Sequence, residues 1–374
     1  MAGIYLHIPF CKQSCHYCDF HFSTSFHGYR ERMILAMCRE IELQKKFLSD
    51  KIQTIYFGGG TPSLLTKAEL EQILKTIKKT YDISSVEEIT LEANPDDLSE
   101  AYLHDLKEIG INRLSIGIQS FHEDDLRYMN RAHNAEQAMQ SVKWAKEIGI
   151  TNISIDLIYG FPNLSEEKWL SNMKTAIDLG VQHISSYSMT VEKDTALSKF
   201  IEKGKSPAVN DEQSARHFQM LQNTLKENGF EHYEISNFCL HNCESKHNSS
   251  YWLQKKYLGI GAGAHSYDGN NRYWNVSNNM KYILSLELDK LANEKEEINE
   301  NTAYNEYILT RLRTKWGIEE KGIQQFAKHL QEAFYNNLKA HLDAENVIHE
   351  RGIFTLSTKG KLLADRIASD LFVV

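Results

Sequence analysis

The sequence predicts an α/β protein, a partial parallel (β/α)6 barrel followed by a small C-terminal α+β domain with a winged-helix-like layout. Short strand-like segments alternate with amphipathic helices over six units, which suits a partial barrel better than a closed eight-stranded one. Polar residues follow the ends of successive strands. A charged segment near residue 295 then precedes a different order of elements.

The six strand candidates are short apolar segments separated by helical stripes with a spacing of three and four residues. The strand candidates begin near Ile4, Ile52, Glu87, Asn112, Asn152 and His183. The stripes include Leu70, Ile73, Leu74 and Ile77, and further on Leu103, Leu106 and Ile109. Repeated strand–helix units imply a parallel sheet with right-handed crossovers. The small residues of 259–265 lack phosphate-loop spacing and predict a strand that packs closely on its neighbours.

The chain divides near residue 295 into a barrel domain, residues 1–295, and a C-terminal domain, residues 296–374. The charged stretch 294–301 predicts a solvated linker or an exposed helix end. Beyond it the pattern predicts helices over 304–313 and 320–342, a hairpin over 347–356 turning at Arg351-Gly352, and a final helix after Ser357. This layout is winged-helix-like but not basic, so we expect a cap or scaffold rather than a DNA reader.

Composition places the chain among globular proteins of the cytoplasm. It has 374 residues, 41% hydrophobic and 25% charged, with a net charge of −8, which gives no basic footprint for nucleic acid. Because no run of about 18 apolar residues occurs, we expect no transmembrane segment, while peripheral membrane contact stays open. The start of the chain lacks the apolar core of a signal peptide, and six clustered cysteines favour a reducing compartment.

Cys11, Cys15 and Cys18 form a C-x3-C-x2-C motif directly after the first strand candidate. Three thiolates from one short loop can hold three corners of a cubane [4Fe-4S] cluster. A fourth cysteine does not follow at a matching distance, so one iron would stay open to a small-molecule ligand.

A structural zinc site is the alternative for the same cysteines. Its fourth ligand would be His7, His16 or His21. Structural zinc prefers ligands that arrive as two pairs from separate segments, whereas these three come from one turn. The spacing therefore favours the cluster.

Further polar residues follow the next strands, at the rim where parallel barrels bind ligands. They are the Gly-Gly-Gly-Thr-Pro turn with Gly60 and Thr61, then Glu92, Gln119 and Asp156. A carboxylate at a strand end suits ribose hydroxyls, and the guanidinium of Arg131 suits a ligand carboxylate. The alternative for each one alone is a plain turn, a helix cap or a partner for a buried backbone group.

The cysteine motif, Cys-Lys-Gln-Ser-Cys-His-Tyr-Cys-Asp-Phe, resembles that of the radical S-adenosylmethionine (SAM) superfamily. The resemblance implies a [4Fe-4S] cluster on the three cysteines and SAM on its fourth iron. The glycine turn is similar to the superfamily motif that meets the methionine part of SAM, which assigns Gly60 and Thr61 to the cofactor. Tyr5 matches a tyrosine that contacts the cofactor in one subgroup.

From Tyr5 to about Asn275 the sequence resembles the group of oxygen-independent coproporphyrinogen III dehydrogenase. Four residues match the group's SAM-binding positions: Glu92, Gln119, Arg131 and Asp156. The dehydrogenase has an additional cysteine where this chain has Phe20, and a longer N-terminal segment before the first strand. Both departures resemble the haem-chaperone branch of the group, the HemW-type proteins, and leave Phe20 beside the cofactor.

Residues 247–252, His-Asn-Ser-Ser-Tyr-Trp, resemble the H-N-x-x-Y-W motif of that branch, within a haem-motif segment over 239–275. The resemblance makes His247 the candidate haem ligand, with Tyr251 and Trp252 flanking the porphyrin. The alternative is a histidine that hydrogen-bonds in a loop beside core aromatics. Cys239 and Cys243 receive no role, although a thiolate could also ligate haem.

The resemblance implies a haem chaperone that carries a [4Fe-4S] cluster and SAM, binds haem and passes it to an unidentified acceptor protein. The alternative is the dehydrogenase activity itself, the radical oxidative decarboxylation of propionate side chains to vinyl groups. A redox or metal sensor that uses the C-terminal domain is a third interpretation. We assign no catalytic residue, and whether the chain is an enzyme stays open between these interpretations.

Overall fold

The computed structural model describes residues 2–373. The strands are β1 Ala2–Ile8, β2 Ile52–Gly59, β3 Glu88–Ala93, β4 Arg113–Gln119, β5 Asn152–Tyr159, β6 His183–Ser188, β7 Glu231–Glu234, β8 Asn237–Cys239, β9 Lys256–Ile260, β10 His265–Tyr267, β11 Asn271–Asn275, β12 Asn293–Glu297, β13 Ile318–Glu319, β14 Val347–Glu350 and β15 Ile353–Leu356. The helices are α1 Arg30–Leu43, α2 Lys67–Thr80, α3 Glu100–Glu108, α4 Glu123–Tyr128, α5 Ala135–Ile148, α6 Glu166–Asp178, α7 Ala196–Glu202, α8 Asp211–Glu227, α9 Lys246–Trp252, α10 Asn279–Glu287, α11 Glu300–Leu312, α12 Glu320–Ile323, α13 Lys328–Asp343 and α14 Ala364–Asp370. Short 3-10 helices occupy Pro62–Leu64, Pro95–Asp97 and Gly360–Leu363.

Strands β1 to β6 lie side by side in chain order, and each pairs in parallel with the next. At least one helix lies between each strand and its successor, so these are the six predicted units. Each predicted strand begins within two residues of the observed one. The predicted α/β class is confirmed as a mixed fold with a main sheet rich in parallel strands and a small antiparallel C-terminal sheet.

The main sheet extends beyond the six units at both edges. At one edge β9 pairs in parallel with β1, and β10, β11 and β12 follow as antiparallel neighbours. At the other edge β8 and β7 follow β6 in antiparallel pairing. The segment 259–265 is therefore the end of β9 and a turn into β10. A methyl group at Gly259 would lie 2.0 Å from the carbonyl oxygen of His265, so close packing is what requires glycine there.

The prediction of a solvated linker or exposed helix end over 294–301 holds only at its end, where the exposed residues Glu300 and Asn301 begin α11. The first half of the segment belongs instead to β12, in which Asn293 lies opposite Asn275 and Glu297 opposite Asn271 of β11. The side chains of β12 are mostly exposed. Backbone hydrogen bonds to β11 and one from Nε1 of Trp274 to Glu294 hold this edge strand. Because little of it is buried, its sequence lacks the alternation of polar and apolar residues that marks a half-buried strand.

Helix α2 illustrates how the helices between the strands are specified. Thr66 and Glu69 form a reciprocal capping box at its start. Its buried residues are Leu70, Ile73 and Ile77, three of the four residues of the predicted stripe, and the fourth, Leu74, is half-buried. These side chains belong to the main hydrophobic core together with the strands.

A second cluster of buried side chains lies within residues 304–371 and includes Tyr304, Phe334 and Phe354. The predicted hairpin is confirmed as β14 and β15, with Arg351 and Gly352 at positive φ in the turn. The helix predicted over 320–342 is two helices, α12 and α13, separated by residues 324–327. A division of the chain into domains at residue 295 stays a prediction. Within residues 2–373, none of the helices is long and apolar enough to cross a membrane.

Candidate cofactor and ligand site

A cavity of about 410 Å³ lies at the carboxyl ends of β1 to β6. All but two of the predicted site residues line it. The predicted residues on its wall are Cys11, Cys15, Cys18, Phe20, Gly60, Thr61, Glu92, Gln119, Arg131 and Asp156. Carboxyl ends of parallel strands meet at one edge of a sheet, so residues far apart in sequence converge there.

The three cysteines leave the end of β1 in one loop, and two of them receive hydrogen bonds. The hydroxyl of Thr61 donates to the sulfur of Cys11 over 3.4 Å, and Nη1 of Arg131 donates to the sulfur of Cys15 over 3.3 Å. Burial raises the pKa of the Cys11 thiol, and burial raises the pKa of Cys18 to about 11. Such thiols are protonated at neutral pH unless a metal group replaces the proton.

Gly60 makes room for the cysteine loop. A Cβ atom at this position would lie 2.7 Å from the carbonyl oxygen of Phe10 and 3.0 Å from the sulfur of Cys11. Both distances are shorter than ordinary contacts with carbon, so any side chain here would displace the loop that carries the cysteines.

The arrangement of the three cysteines suits an iron–sulfur cluster better than a single metal ion. Among residues 2–373, no three His, Cys, Asp or Glu side chains lie close enough together to hold a single metal ion. A cubane cluster requires less convergence, since each cysteine binds a different iron atom. The three sulfurs on the wall of one cavity suit that arrangement.

Two carboxyl groups line the same cavity: Glu92 is the second-last residue of β3, whereas Asp156 lies within β5, three residues before the strand end at which it was predicted. The hydroxyl of Tyr56 donates to Oε1 of Glu92 over 2.7 Å, and the backbone N–H of Gly59 donates to Oε2 over 3.2 Å. Burial raises the pKa of Glu92 to about 7 and the pKa of Asp156 to about 6. Both groups therefore change charge close to neutral pH, where ligand hydroxyls could either donate to them or accept from them.

Arg131 is held from three sides and keeps one donor unused. Besides its bond to Cys15, its Nη2 donates to Oδ1 of Asn94 over 2.6 Å and to the carbonyl of Gly117 over 2.7 Å. Its Nε is buried without a hydrogen-bond partner in the described part of the chain. A buried donor of this kind requires an acceptor, and a ligand carboxylate meets that need.

Gln119 ends β4 in a conformation that is rare for a residue with a side chain, with φ at 68°. A Cβ atom at Gly117 would lie 2.9 Å from Nε2 of Gln119, so glycine two residues earlier leaves space for the amide. Strained backbone of this kind concentrates at binding sites. The bend turns the Gln119 side chain into the cavity.

A second cavity of about 960 Å³ adjoins the first. Asp19, Phe20, Phe22, Gly59 and Glu92 line both. The rest of its wall is rich in aromatic and imidazole rings: Tyr5, His7, His21, Tyr251, Trp252, Tyr257, His265 and Tyr267. The volume lies in the range of cofactor sites, roughly 300–1,000 Å³.

The two remaining predicted residues, Tyr5 and His247, lie outside the smaller cavity. Tyr5 lines the larger cavity, and its hydroxyl lies 3.2 Å from Nδ1 of His7. His247 is fully buried, with Nδ1 2.7 Å from Oγ1 of Thr54 and Nε2 2.8 Å from the hydroxyl of Tyr251. In this conformation neither of its ring nitrogens is free, so its assignment as haem ligand stays a prediction.

Sequence reasoning missed several residues of the smaller cavity. Asn94, which accepts from Arg131, follows Glu92 by two residues at the end of β3. Tyr187 and Ser188 end β6 and line the cavity as well. Their position at or directly after the end of a strand was a usable signal in each case, because the same rule identified Glu92.

The chain is similar to known proteins over its full length. The model of the radical SAM superfamily matches residues 5–176. Heme chaperone HemW of Bacillus subtilis is 35% identical over 98% of this chain and 98% of that protein. Heme chaperone HemW of Lactococcus lactis is 32% identical over 97% of this chain and 95% of that protein.

A mitochondrial relative and a solved structure extend the comparison. Radical S-adenosyl methionine domain-containing protein 1 of Bos taurus is 30% identical over 96% of this chain and 83% of that protein. The structure of coproporphyrinogen III oxidase (HemN) of Escherichia coli superposes with a TM-score of 0.87 at 22% identity. That superposition covers 100% of this chain and 90% of the other, and it establishes a shared fold.

Proposed function

The chain belongs to the HemW family of the radical SAM superfamily, and from this we propose that it is a haem chaperone that binds haem and passes it to an acceptor protein. The observation that carries the proposal is the pair of adjoining cavities. The smaller has the donor set for an iron–sulfur cluster with SAM, and the larger has the volume and aromatic wall that a porphyrin requires.

The smaller cavity would hold the cluster on Cys11, Cys15 and Cys18. Arg131 would use its unpaired Nε toward the SAM carboxylate, and Glu92 and Asp156 would receive hydroxyl groups of the ribose. Gly60 and Thr61 would lie against the methionine end, and Gln119 and Phe20 against the remainder. A reduced cluster of this kind supplies an electron to bound SAM.

The sheet would form the partial (β/α)6 barrel that the sequence predicts. Its six parallel strands are about 4.8 Å apart, so a flat sheet would separate the ends of β1 and β6 by roughly 24 Å. Residues that follow β1 and residues that end β6 nevertheless line the same cavity of about 410 Å³. Curvature of the sheet would account for this. The C-terminal helices and hairpin would form the winged-helix-like module, with a structural rather than a DNA-binding role.

The surroundings of the protein are part of the proposal. The six cysteines are free thiols, which suits the reducing cytoplasm and leaves those of the loop available for a cluster. The acceptor would be a protein that receives haem from the larger cavity. Phe20 on the wall of that cavity is 68% exposed, so a planar ligand would have a route to solvent that requires no unfolding of the sheet.

Haemin titration tests the proposal. The full chain, reconstituted anaerobically with iron and sulfide, is titrated with haemin while the Soret band is followed. Stoichiometric binding, and transfer to an apo-haem protein on mixing, would support the chaperone. Absence of stoichiometric binding would refute it. A parallel anaerobic assay with coproporphyrinogen III and SAM tests the alternative: formation of protoporphyrinogen would show an enzyme instead.

A further inference from the structure

The three histidines on the wall of the larger cavity differ in what their rings contact. His7 is hydrogen-bonded at both nitrogens, to the carbonyl of His21 over 2.8 Å and to the hydroxyl of Tyr5 over 3.2 Å. His21 uses Nε2 toward Oδ1 of Asn279 over 2.8 Å. The ring of His265 makes no hydrogen bond within residues 2–373. Its nearest aromatic neighbour is Trp274, and the two ring centroids are 6.3 Å apart.

The pairing of β9, β10 and β11 decides what shares a face with His265. His265 and Tyr267 are two residues apart on β10, so their side chains point to the same side of the sheet. Tyr267 lies opposite Arg272 on β11 and opposite Tyr257 on β9. The side chains of His265, Tyr267, Arg272 and Tyr257 all line the cavity.

This face of the sheet carries the imidazole of His265 and the guanidinium of Arg272, at a separation that one planar ligand can span. Two residues along a strand span roughly 7 Å, and Arg272 lies beside the far one. A planar ligand centred on His265 would therefore bring its edge to the guanidinium. Lys255, also on the wall, has no ion-pair partner in the described part of the chain, whereas Arg272 pairs with Glu306 over 2.8 Å.

Aromatic rings line the same cavity as the imidazole and the cations. The ring centroid of Tyr257 lies 4.5 Å from that of Tyr251, in an edge-to-face arrangement, and 6.4 Å from that of Tyr267. Trp252 lines the cavity one residue after Tyr251. Aromatic surfaces of this kind bind flat apolar ligands through large contact area.

His247 contributes to this wall from behind. Its Nε2 lies 2.8 Å from the Tyr251 hydroxyl, and its ring stacks on Tyr56 with the centroids 4.9 Å apart. It thereby fixes the ring of Tyr251, which faces the cavity. In the haem binding proposed above, the H-N-x-x-Y-W motif would act through Tyr251 and Trp252, with His247 as a positioning residue.

We propose that haem binds in the larger cavity with its iron coordinated by His265 and its propionates paired with Lys255 and Arg272. This inference rests on the haem binding proposed above and assigns it to residues that the motif does not contain. A neutral imidazole with a free ring nitrogen is a common axial ligand of haem iron, and propionates pair with cationic side chains.

Haemin binding by a set of single variants tests the assignment. We expect His265→Ala to lower the affinity at least tenfold and to change the Soret position, and added imidazole to restore the wild-type spectrum. His247→Gln should keep the histidine-ligated spectrum with a lower affinity. Lys255→Glu should weaken binding without moving the Soret band. His104→Ala, an exposed histidine of α3, is the matched control and should behave as wild type.

The outcomes separate this inference from the function on which it rests. If the wild-type protein does not bind haemin, the proposed function fails and the inference fails with it. If the wild-type protein binds and His265→Ala has the same affinity and spectrum, the inference alone is overturned. Circular dichroism of each variant identifies any loss that comes from misfolding, and imidazole rescue of His265→Ala requires a folded cavity.

Discussion

Replacing His247 by glutamine should change how stability depends on pH, because this histidine is buried in the neutral form. Burial lowers its pKa to about 3, and the charge of Arg113 contributes to the same shift. In the unfolded chain the ordinary pKa of 6.5 applies. Below pH 6.5 the unfolded state therefore binds a proton that the folded state refuses. The stabilising contribution of His247 is complete above pH 6.5 and is lost as the pH falls toward 3.

The size of this effect follows from the two pKa values. Each pH unit between them is worth about 1.36 kcal/mol for one proton, so the wild type loses about 2 kcal/mol from His247 between pH 7.5 and pH 5.0. Glutamine does not titrate, and it cannot satisfy both Thr54 and Tyr251 as the imidazole does. We expect the variant to be about 3 kcal/mol less stable at pH 7.5, since each orphaned group costs about 1–3 kcal/mol. At pH 5.0 the difference should shrink to about 1 kcal/mol.

Urea unfolding followed by tryptophan fluorescence measures both differences. His104→Gln is the control, because His104 is exposed and its replacement should change stability little at either pH. A difference between wild type and His247→Gln that stays constant from pH 7.5 to pH 5.0 would refute the reasoning. It would show that the imidazole is accessible to protons in the folded state.

Three further predictions concern the smaller cavity. Gly60→Ala should abolish most cluster loading, measured as iron and sulfide content after reconstitution. Gly28→Ala is the control and should load normally, because its methyl group would meet nothing within 4 Å. Equal loading of the two variants would contradict the packing argument. SAM binding, measured by calorimetry, should weaken as the pH falls below about 7, because Glu92 becomes protonated there. Glu92→Gln should remove this pH dependence. If the variant keeps the pH profile of the wild type, Glu92 is not the source of the dependence. Arg131→Lys should lower SAM affinity roughly tenfold or more, because lysine cannot reach Asn94, Gly117 and a ligand carboxylate together; unchanged affinity would remove Arg131 from the carboxylate site.

The six central strands could be predicted because most of their residues are buried and each strand is followed by an amphipathic helix. The same regularity predicts that Cys11, Glu92 and Asp156 lie together at one rim of the sheet. Two of the added edge strands, β8 and β12, escaped prediction for opposite reasons. Cys239 ends a strand of three residues, too short for a periodic signal, and Glu297 ends one whose side chains are mostly charged.

The surroundings of single histidines could not be predicted from the sequence. His247 stands in a recognisable motif, but its burial and its contacts with Thr54 and Tyr251 depend on how α9 packs on the sheet. His265 stands in an unremarkable segment, and it faces the larger cavity only because β10 turns back along β9. Motifs identify residue types, whereas exposure and free ring nitrogens are tertiary properties.

The charged strand at the outer edge of the main sheet has a consequence for the behaviour of the protein in concentrated solution. Strand β12, Asn-Glu-Lys-Glu-Glu, leaves one side of its backbone without a neighbouring strand in the described chain. Another molecule that added a strand there would bring its own glutamates alongside these, and the repulsion would oppose pairing. This edge should therefore resist the growth of a continuous intermolecular sheet, more strongly at low ionic strength than at high.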